Sequence, residues 1–143
     1  MIDSMSKQEV KVSLVIGGSN CAPEEITASL GIEPTRIYRK GESKIVGSPP
    51  RELPMKHKES VWILDAPDND ADIERKLEWL ANKLSDRAEA VKRITEKCPA
   101  EVSIVIYSGD ANPGLRLSSQ LLMKIADLGL DVDVDLYYMG EDL

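Results

Sequence analysis

The stretch Val102-Ser103-Ile104-Val105-Ile106 decides the fold, because Val102, Ile104 and Ile106 share one face of an extended chain. This pattern predicts a strand with one buried face. A second such strand is predicted at residues 131–138, where apolar side chains alternate with three aspartates and a tyrosine. The helix between the two strands is predicted to be capped by Ser118 and ended by Gly129.

A strand and a long helical pattern precede this stretch. Residues 61–64 are apolar and predict a short buried strand. From Ala71 to Lys97 the apolar residues are spaced by three or four, as in an amphipathic helix. Asn69 or Asp70 is expected to cap its start. Ser85-Asp86 looks like a second capping box, which predicts a break in the helix.

The remaining elements are predicted from turn residues. Residues 10–16 alternate as a strand, and Pro23 and Gly31 bracket a helix over Pro23–Leu30. Turn formers fill residues 108–114 and predict a hairpin into a strand at 115–117.

These elements predict an α+β fold in the form of a two-layer sandwich. From residue 61 onward the order is a split βαβ, ferredoxin-like pattern, preceded by one extra strand and helix. We expect one mostly antiparallel or mixed sheet of four to five strands, with helices on one face and the other face free. The predicted domain organisation is a flexible N-terminus at 1–9, a single domain at 10–139 and a C-terminal tail at 140–143.

Composition excludes several classes of protein. The chain has 143 residues, of which 42% are hydrophobic, and a net charge of −7. A chain of this length can bury a hydrophobic core that is stable without metals. No apolar run approaches the roughly 18 residues of a membrane span, and the N-terminus lacks the apolar core of a signal peptide, so we expect a cytoplasmic location. Cys21 and Cys98 lie 77 residues apart and predict neither a disulfide framework nor a zinc site.

Several short motifs extend over most of residues 10–138. They are Pro23-Glu24-Glu25-Ile26-Thr27 leading to Leu30-Gly31, the pair Pro34-Thr35-Arg36 and Arg39-Lys40-Gly41, Trp62, Leu77-Glu78-Trp79-Leu80, and residues 128–133. Together these motifs resemble one family, the bacterial domain-of-unknown-function 4279 (DUF4279) family. The resemblance implies a small intracellular bacterial domain that occurs by itself. It implies no activity and assigns no catalytic residue.

The segment 33–60 is the first place to look for a site, because it is predicted as a loop far longer than compact domains usually contain. Between Arg36 and Lys58 there are seven basic and two acidic residues, a net charge of +5 that leaves −12 for the rest of the chain. Arginine and lysine bind phosphate and carboxylate oxygens. The candidate binding residues are the cations and aromatic rings in and beside this region: Arg36, Tyr38, Arg39, Lys40, Trp62 and Trp79.

Each candidate also has a purely structural explanation. The charge of the basic loop is also explained by plain solvation, or by docking on the chain's own acids, Asp131, Asp133 and Asp135. Trp62 lies in an apolar strand and is better explained as a core residue. Trp79 lies at the margin of a helix's apolar stripe, where it either marks a partner surface or covers the edge of its own domain.

The sequence favours a non-enzymatic protein-binding module, of a regulatory or immunity type, whose basic loop meets an acidic partner. Two alternatives stay open: a domain that binds a small anion carrying phosphate or carboxylate, and a homodimer in which the loop has no role. Nucleic acid and membranes are excluded as partners by the acidic balance. We expect no catalytic residue, metal or cofactor, since His57 is the sole histidine and no set of titratable groups converges.

Overall fold

The structure is a computed structural model that describes residues 8–47 and 49–140. Most of the predicted flexible N-terminus and of the predicted tail therefore lies outside the described residues. The elements in chain order are β1 (Gln8–Gly18), α1 (Pro23–Leu30), β2 (Arg36–Tyr38), β3 (Ser43–Val46), β4 (Arg51–Lys56), β5 (Ser60–Asp65), α2 (Ile73–Ser85), α3 (Ala88–Thr95), β6 (Ala100–Ser108), α4 (Ser119–Asp127) and β7 (Asp131–Tyr138).

Strand β1 lies at the centre of a five-stranded mixed sheet with the order β2-β5-β1-β6-β7. It pairs antiparallel with β5 on one side and with β6 on the other. β2 adds antiparallel to β5, and β7 adds parallel to β6. β2 and β7 are thus the two opposite edges of the sheet.

One face of the sheet is covered by the helices. The core side chains of the strands all point to this face, and the buried helix residues complete the same cluster. The strand residues involved are Val12, Leu14, Ile16, Trp62, Leu64, Val102, Ile104 and Ile106. The other face carries the intervening residues, and no described helix packs on it. The α+β class, the mixed sheet and the one-sided helical layer are confirmed.

The helix boundaries follow the predicted signals with two exceptions. The long helical pattern is broken into α2 and α3 at Asp86 and Arg87, as predicted, but the predicted capping box is absent, because α3 begins after Arg87 without a side-chain cap. Ser118 caps α4 by accepting a hydrogen bond from the Leu121 N–H. The cap of α2 is Asp72, not Asn69 or Asp70. The prediction was wrong because the Asn69 side chain is used earlier, accepting a hydrogen bond from the Ala71 N–H in the preceding turn.

The predicted strand at residues 115–117 is wrong. These residues are not extended into a strand, and the chain passes from β6 through α4 directly into β7. Both edges of β6 are already paired, with β1 and with β7. A hairpin partner for β6 therefore has no free edge to join.

The two cysteines form a disulfide, which corrects the prediction from their spacing. The Cα atoms of Cys21 and Cys98 are 6.1 Å apart. The antiparallel register pairs Ile16 with Ala100. Cys21 follows β1 by three residues and Cys98 precedes β6 by two, so the register brings them together at the same end of the sheet. The separation of 77 residues along the chain misled the prediction, because the pairing of β1 with β6 brings residues that are distant in sequence close together in space.

Candidate functional site

The segment predicted as a long basic loop contains three short strands. β2 joins the edge of the main sheet beside β5. β3 and β4 pair with each other and form a separate two-stranded sheet. Two backbone hydrogen bonds close the base of this hairpin, from Gly41 N–H to the His57 carbonyl and from His57 N–H to the Glu42 carbonyl. The basic charge is therefore divided between a sheet edge and a hairpin.

Arg36 is neutralised within the domain. Its guanidinium lies 3.0 Å from an Asp65 carboxylate oxygen that also accepts a hydrogen bond from the Ser13 hydroxyl. Partial burial by itself lowers the pKa of Arg36, but the hydrogen bond and charge of Asp65 outweigh it and raise the pKa above its ordinary value. Arg36 is charged at any working pH and is held in place by this pair.

Arg39 is also paired, whereas Lys40 is exposed. The Arg39 guanidinium contacts the carboxylate of Glu24 at the start of α1. The pKa of Glu24 is lowered, first by its backbone hydrogen bond at the helix N-terminus and then by Arg39. The backbone N–H of Lys40 donates to the Ser60 hydroxyl, and its side chain remains in solvent.

The aromatic candidates separate into three environments. Tyr38 stacks on His57, with ring centroids 4.9 Å apart. Trp62 is completely buried, and its indole N–H donates to the Thr27 hydroxyl, so it is the core residue that its apolar strand favoured and does not reach a binding surface. Trp79 is half-buried against the core, with the Lys83 ammonium 5.7 Å above its ring. The structure does not bring the three rings together.

The basic segment does not dock on the acidic last strand. Arg36 lies on β2 and the aspartates lie on β7, at opposite edges of the sheet. Four strand spacings of about 4.8 Å separate these edges by about 19 Å. The alternative of docking on Asp131, Asp133 and Asp135, which the sequence left open, is therefore wrong, and Asp65 and Glu24 pair with Arg36 and Arg39 instead.

The aspartates of β7 instead surround another carboxylate. Glu101 on β6 is in register with Asp131 on the open face. Its pKa is raised, first by burial and then by the charges of Asp133, Asp131 and Asp135. The acidic edge therefore concentrates negative charge within the strand pair β6–β7.

The hairpin exposes apolar side chains that sequence reasoning missed. Ile45 is 66% exposed and Met55 is 56% exposed, and Val46 is exposed beside them. They lie among the hairpin cations, of which Arg51 and Lys56 are exposed. The turn formers between residues 46 and 51 were a usable hairpin signal, but the charge count drew attention to the cations alone.

A family comparison agrees with the resemblance seen in the sequence motifs. Residues 8–139 match the family described as Domain of unknown function (DUF4279). The chain belongs to the DUF4279 family. No curated protein matches the chain, and no solved structure matches it.

The DUF4279 family is described as a domain of unknown function, so membership assigns no activity to the chain. Within residues 8–47 and 49–140, no group of three or more His, Cys, Asp or Glu side chains is placed to hold a metal ion. No helix among these residues has the length and apolar character needed to cross a membrane. In this DUF4279 chain, His57 packs on Tyr38, and the cysteines are bonded to each other.

Proposed function

We propose that this DUF4279 protein is a non-enzymatic protein-binding module that docks its β3–β4 hairpin on an acidic surface of a partner protein. The observation that carries the proposal is the exposure of Ile45 and Met55 on a ribbon that pairs with itself. A lone two-stranded hairpin is marginally stable in water. A partner surface that covers the apolar side chains would stabilise it.

Charge supports an acidic partner. The hairpin from Ser43 to Lys56 has three basic residues and one acidic residue, and Lys40 and Lys58 add exposed cations at its base. Interfaces commonly place apolar side chains at the centre and charged side chains at the rim. Complementary charge at the rim speeds association and rejects wrong partners.

The candidates nearer the sheet have a supporting role in this proposal. Arg36 and Arg39 are engaged by Asp65 and Glu24, and the stacked Tyr38 and His57 lie at the base of the hairpin. We expect these contacts to orient the base of the hairpin relative to the sheet. Lys40 and the hairpin side chains are left to meet the partner.

The proposal includes a regulatory or immunity-type role in a bacterial cytoplasm. The disulfide between Cys21 and Cys98 weighs against the location, because disulfides persist mainly in oxidising compartments. Alkylation of free thiols at the moment of cell lysis, followed by mass spectrometry, tests the location. Alkylated cysteines support the cytoplasm, and a bonded pair contradicts it.

The test of the docking hairpin is affinity capture from the source cells with matched variants. One variant carries Lys44→Gln, Arg51→Gln and Lys56→Gln, and another carries Ile45→Ser and Met55→Ser. The control carries Lys92→Gln, Arg93→Gln and Lys97→Gln, which remove the same charge from the helical side of the domain. An acidic protein that the wild type and the control retain, and that both hairpin variants lose, supports the proposal.

The proposal fails if wild type, control and hairpin variants retain the same proteins. Light scattering of the purified protein at several concentrations separates a foreign partner from a second copy. If the wild type dimerises and both hairpin variants are monomeric, the partner is another copy of this chain. If dimerisation is the same in all variants, the homodimer alternative with no role for the hairpin is favoured.

A further inference from the structure

We propose that a cleft at the edge of β1 binds a small organic anion with an apolar body, of the class of aliphatic carboxylates. The cleft has a volume of about 580 Å³, within the range of small-molecule sites. It lies between the end of β5, the start of α2 and the open face of the sheet. It does not involve the hairpin, so it stands independently of the docking proposal.

The cleft exists because β5 is shorter than β1. Pairing between them stops at Ser13 and Asp65, while β1 continues back to Gln8. Ala66 donates one more backbone hydrogen bond, to the Val12 carbonyl at 2.8 Å, and the chain then turns away. This leaves a notch in the sheet at Val10 and Lys11. The notch connects the helical side with the open face.

Lys76 is the residue that points to an anion. It lies on α2, is 5% exposed, and lines the cleft. Its ammonium donates one hydrogen bond, 2.8 Å long, to the Val10 carbonyl. No carboxylate among the described residues lies within 4 Å of it. A buried charge normally has a partner of opposite charge, and an ammonium has three protons to donate.

The rest of the lining suits an anion with an apolar body. Val15, Ile63 and Val105 form an apolar wall, and two residues that carry a hydroxyl group, Ser103 and Tyr107, also line the cleft. Such a mixture of apolar wall and few polar groups is typical of ligand sites.

The charges of the lining favour a single negative charge on the ligand. Three cations line the cleft against two acids, Asp65 and Asp68, for a net charge of +1. Arg36 is already neutralised by Asp65. A monocarboxylate matches this net charge of +1, whereas a doubly charged phosphate would exceed it. We therefore assign the carboxylate to Lys76 and the hydrocarbon to the apolar wall.

Isothermal titration with octanoate as the probe tests the site. Acetate lacks the apolar body and octan-1-ol lacks the charge. Octanoate is expected to bind at least about tenfold more tightly than either. Lys76→Met is expected to weaken octanoate binding by about tenfold or more. The control Lys83→Met removes an ammonium from the same helix outside the cleft, and is expected to leave binding unchanged.

A second variant keeps the test decisive if Lys76→Met fails to fold. Val105→Asp places a negative charge in the apolar wall and leaves the Lys76 hydrogen bond intact, so it is expected to weaken octanoate binding as well. The proposal is overturned if octanoate shows no binding to the wild type at about millimolar concentration. It is also overturned if the folded variants bind octanoate as tightly as the wild type.

Discussion

The two faces of the sheet differ in composition, because one is covered by helices and the other is open to solvent. The covered face holds Leu14, Trp62 and Ile104, each fully buried under the helices. The open face holds an apolar middle, a paired cation at the β2 edge and a row of aspartates at the β7 edge. Packing alone explains the first arrangement. It does not explain the second, so the open face and its edges are where function is to be sought.

The difference also shows where charge is balanced within the chain. At the β2 edge, Arg36 and Arg39 have carboxylate partners. At the β7 edge, Glu101 has acidic neighbours, and its pKa is raised by burial and by their charges. The β7 edge keeps like charges close together, whereas the arginines of the β2 edge are paired. The two edges of the sheet therefore differ in charge: cations are paired at the β2 edge, and acidic residues lie close together at the β7 edge.

Neighbouring residues of β1 give the largest expected contrast between the faces. Leu14→Ala removes a fully buried side chain and is expected to lower the free energy of unfolding by about 2–5 kcal/mol. Val15→Ala, one residue later on the open face, is expected to cost about 1 kcal/mol or less. Urea unfolding of both variants measures the difference. Equal losses would mean that the open face is packed as tightly as the covered one.

The disulfide gives the next largest effect. Cys21→Ser with Cys98→Ser is expected to lower the free energy of unfolding by about 2–4 kcal/mol, because the bond closes a long loop in the unfolded chain. The measurement is urea unfolding of the wild type with and without dithiothreitol. The double variant is the control and should not respond to the reductant. A wild type whose unfolding is insensitive to the reductant would contradict the prediction.

Much of the fold followed from local sequence patterns. Gly31 and Gly129 both end helices with positive φ, at 67° and 76°, and the alternation of β1 and β6 identified the buried face. The alternation of β7 did not, because Val134 and Leu136 of this edge strand are exposed. The strand expected at 115–117 failed for a non-local reason, since β6 had no edge to offer. The prediction that the cysteines form no disulfide was wrong for the same reason, because the spacing of two cysteines along the chain does not show how the strands beside them are paired.

The candidate site was less predictable than the fold, because a count of charges does not show which carboxylate pairs with which cation. The net charge of +5 between Arg36 and Lys58 was visible in the sequence, but the partners of Arg36 and Arg39 come from β5 and α1. Lys76 gave no signal at all, since a lysine within an amphipathic helix is normally solvated. Its burial depends on where β5 ends relative to β1, which no local pattern records.

The smallest expected effect tests the acidic edge of the open face. Glu101→Gln removes one of the carboxylates that repel each other across β6 and β7. Like charges facing each other across strands are destabilising, so the variant is expected to be more stable at pH 7 by about 0.2–1 kcal/mol. Urea unfolding at pH 7 measures the gain, and added salt should reduce it by screening.

The pH dependence has a definite sign. The pKa of Glu101 is raised in the folded chain, so its destabilising contribution is complete above that value. It disappears as the pH falls toward the ordinary carboxyl pKa of about 4.3, because the folded state takes up the proton first. Glu24, whose pKa is lowered, contributes with the opposite sign and loses its stabilisation as the pH falls through its folded pKa. Glu101→Gln and Glu24→Gln should therefore shift the pH profile of stability in opposite directions, and shifts in the same direction would refute the contrast between the two edges.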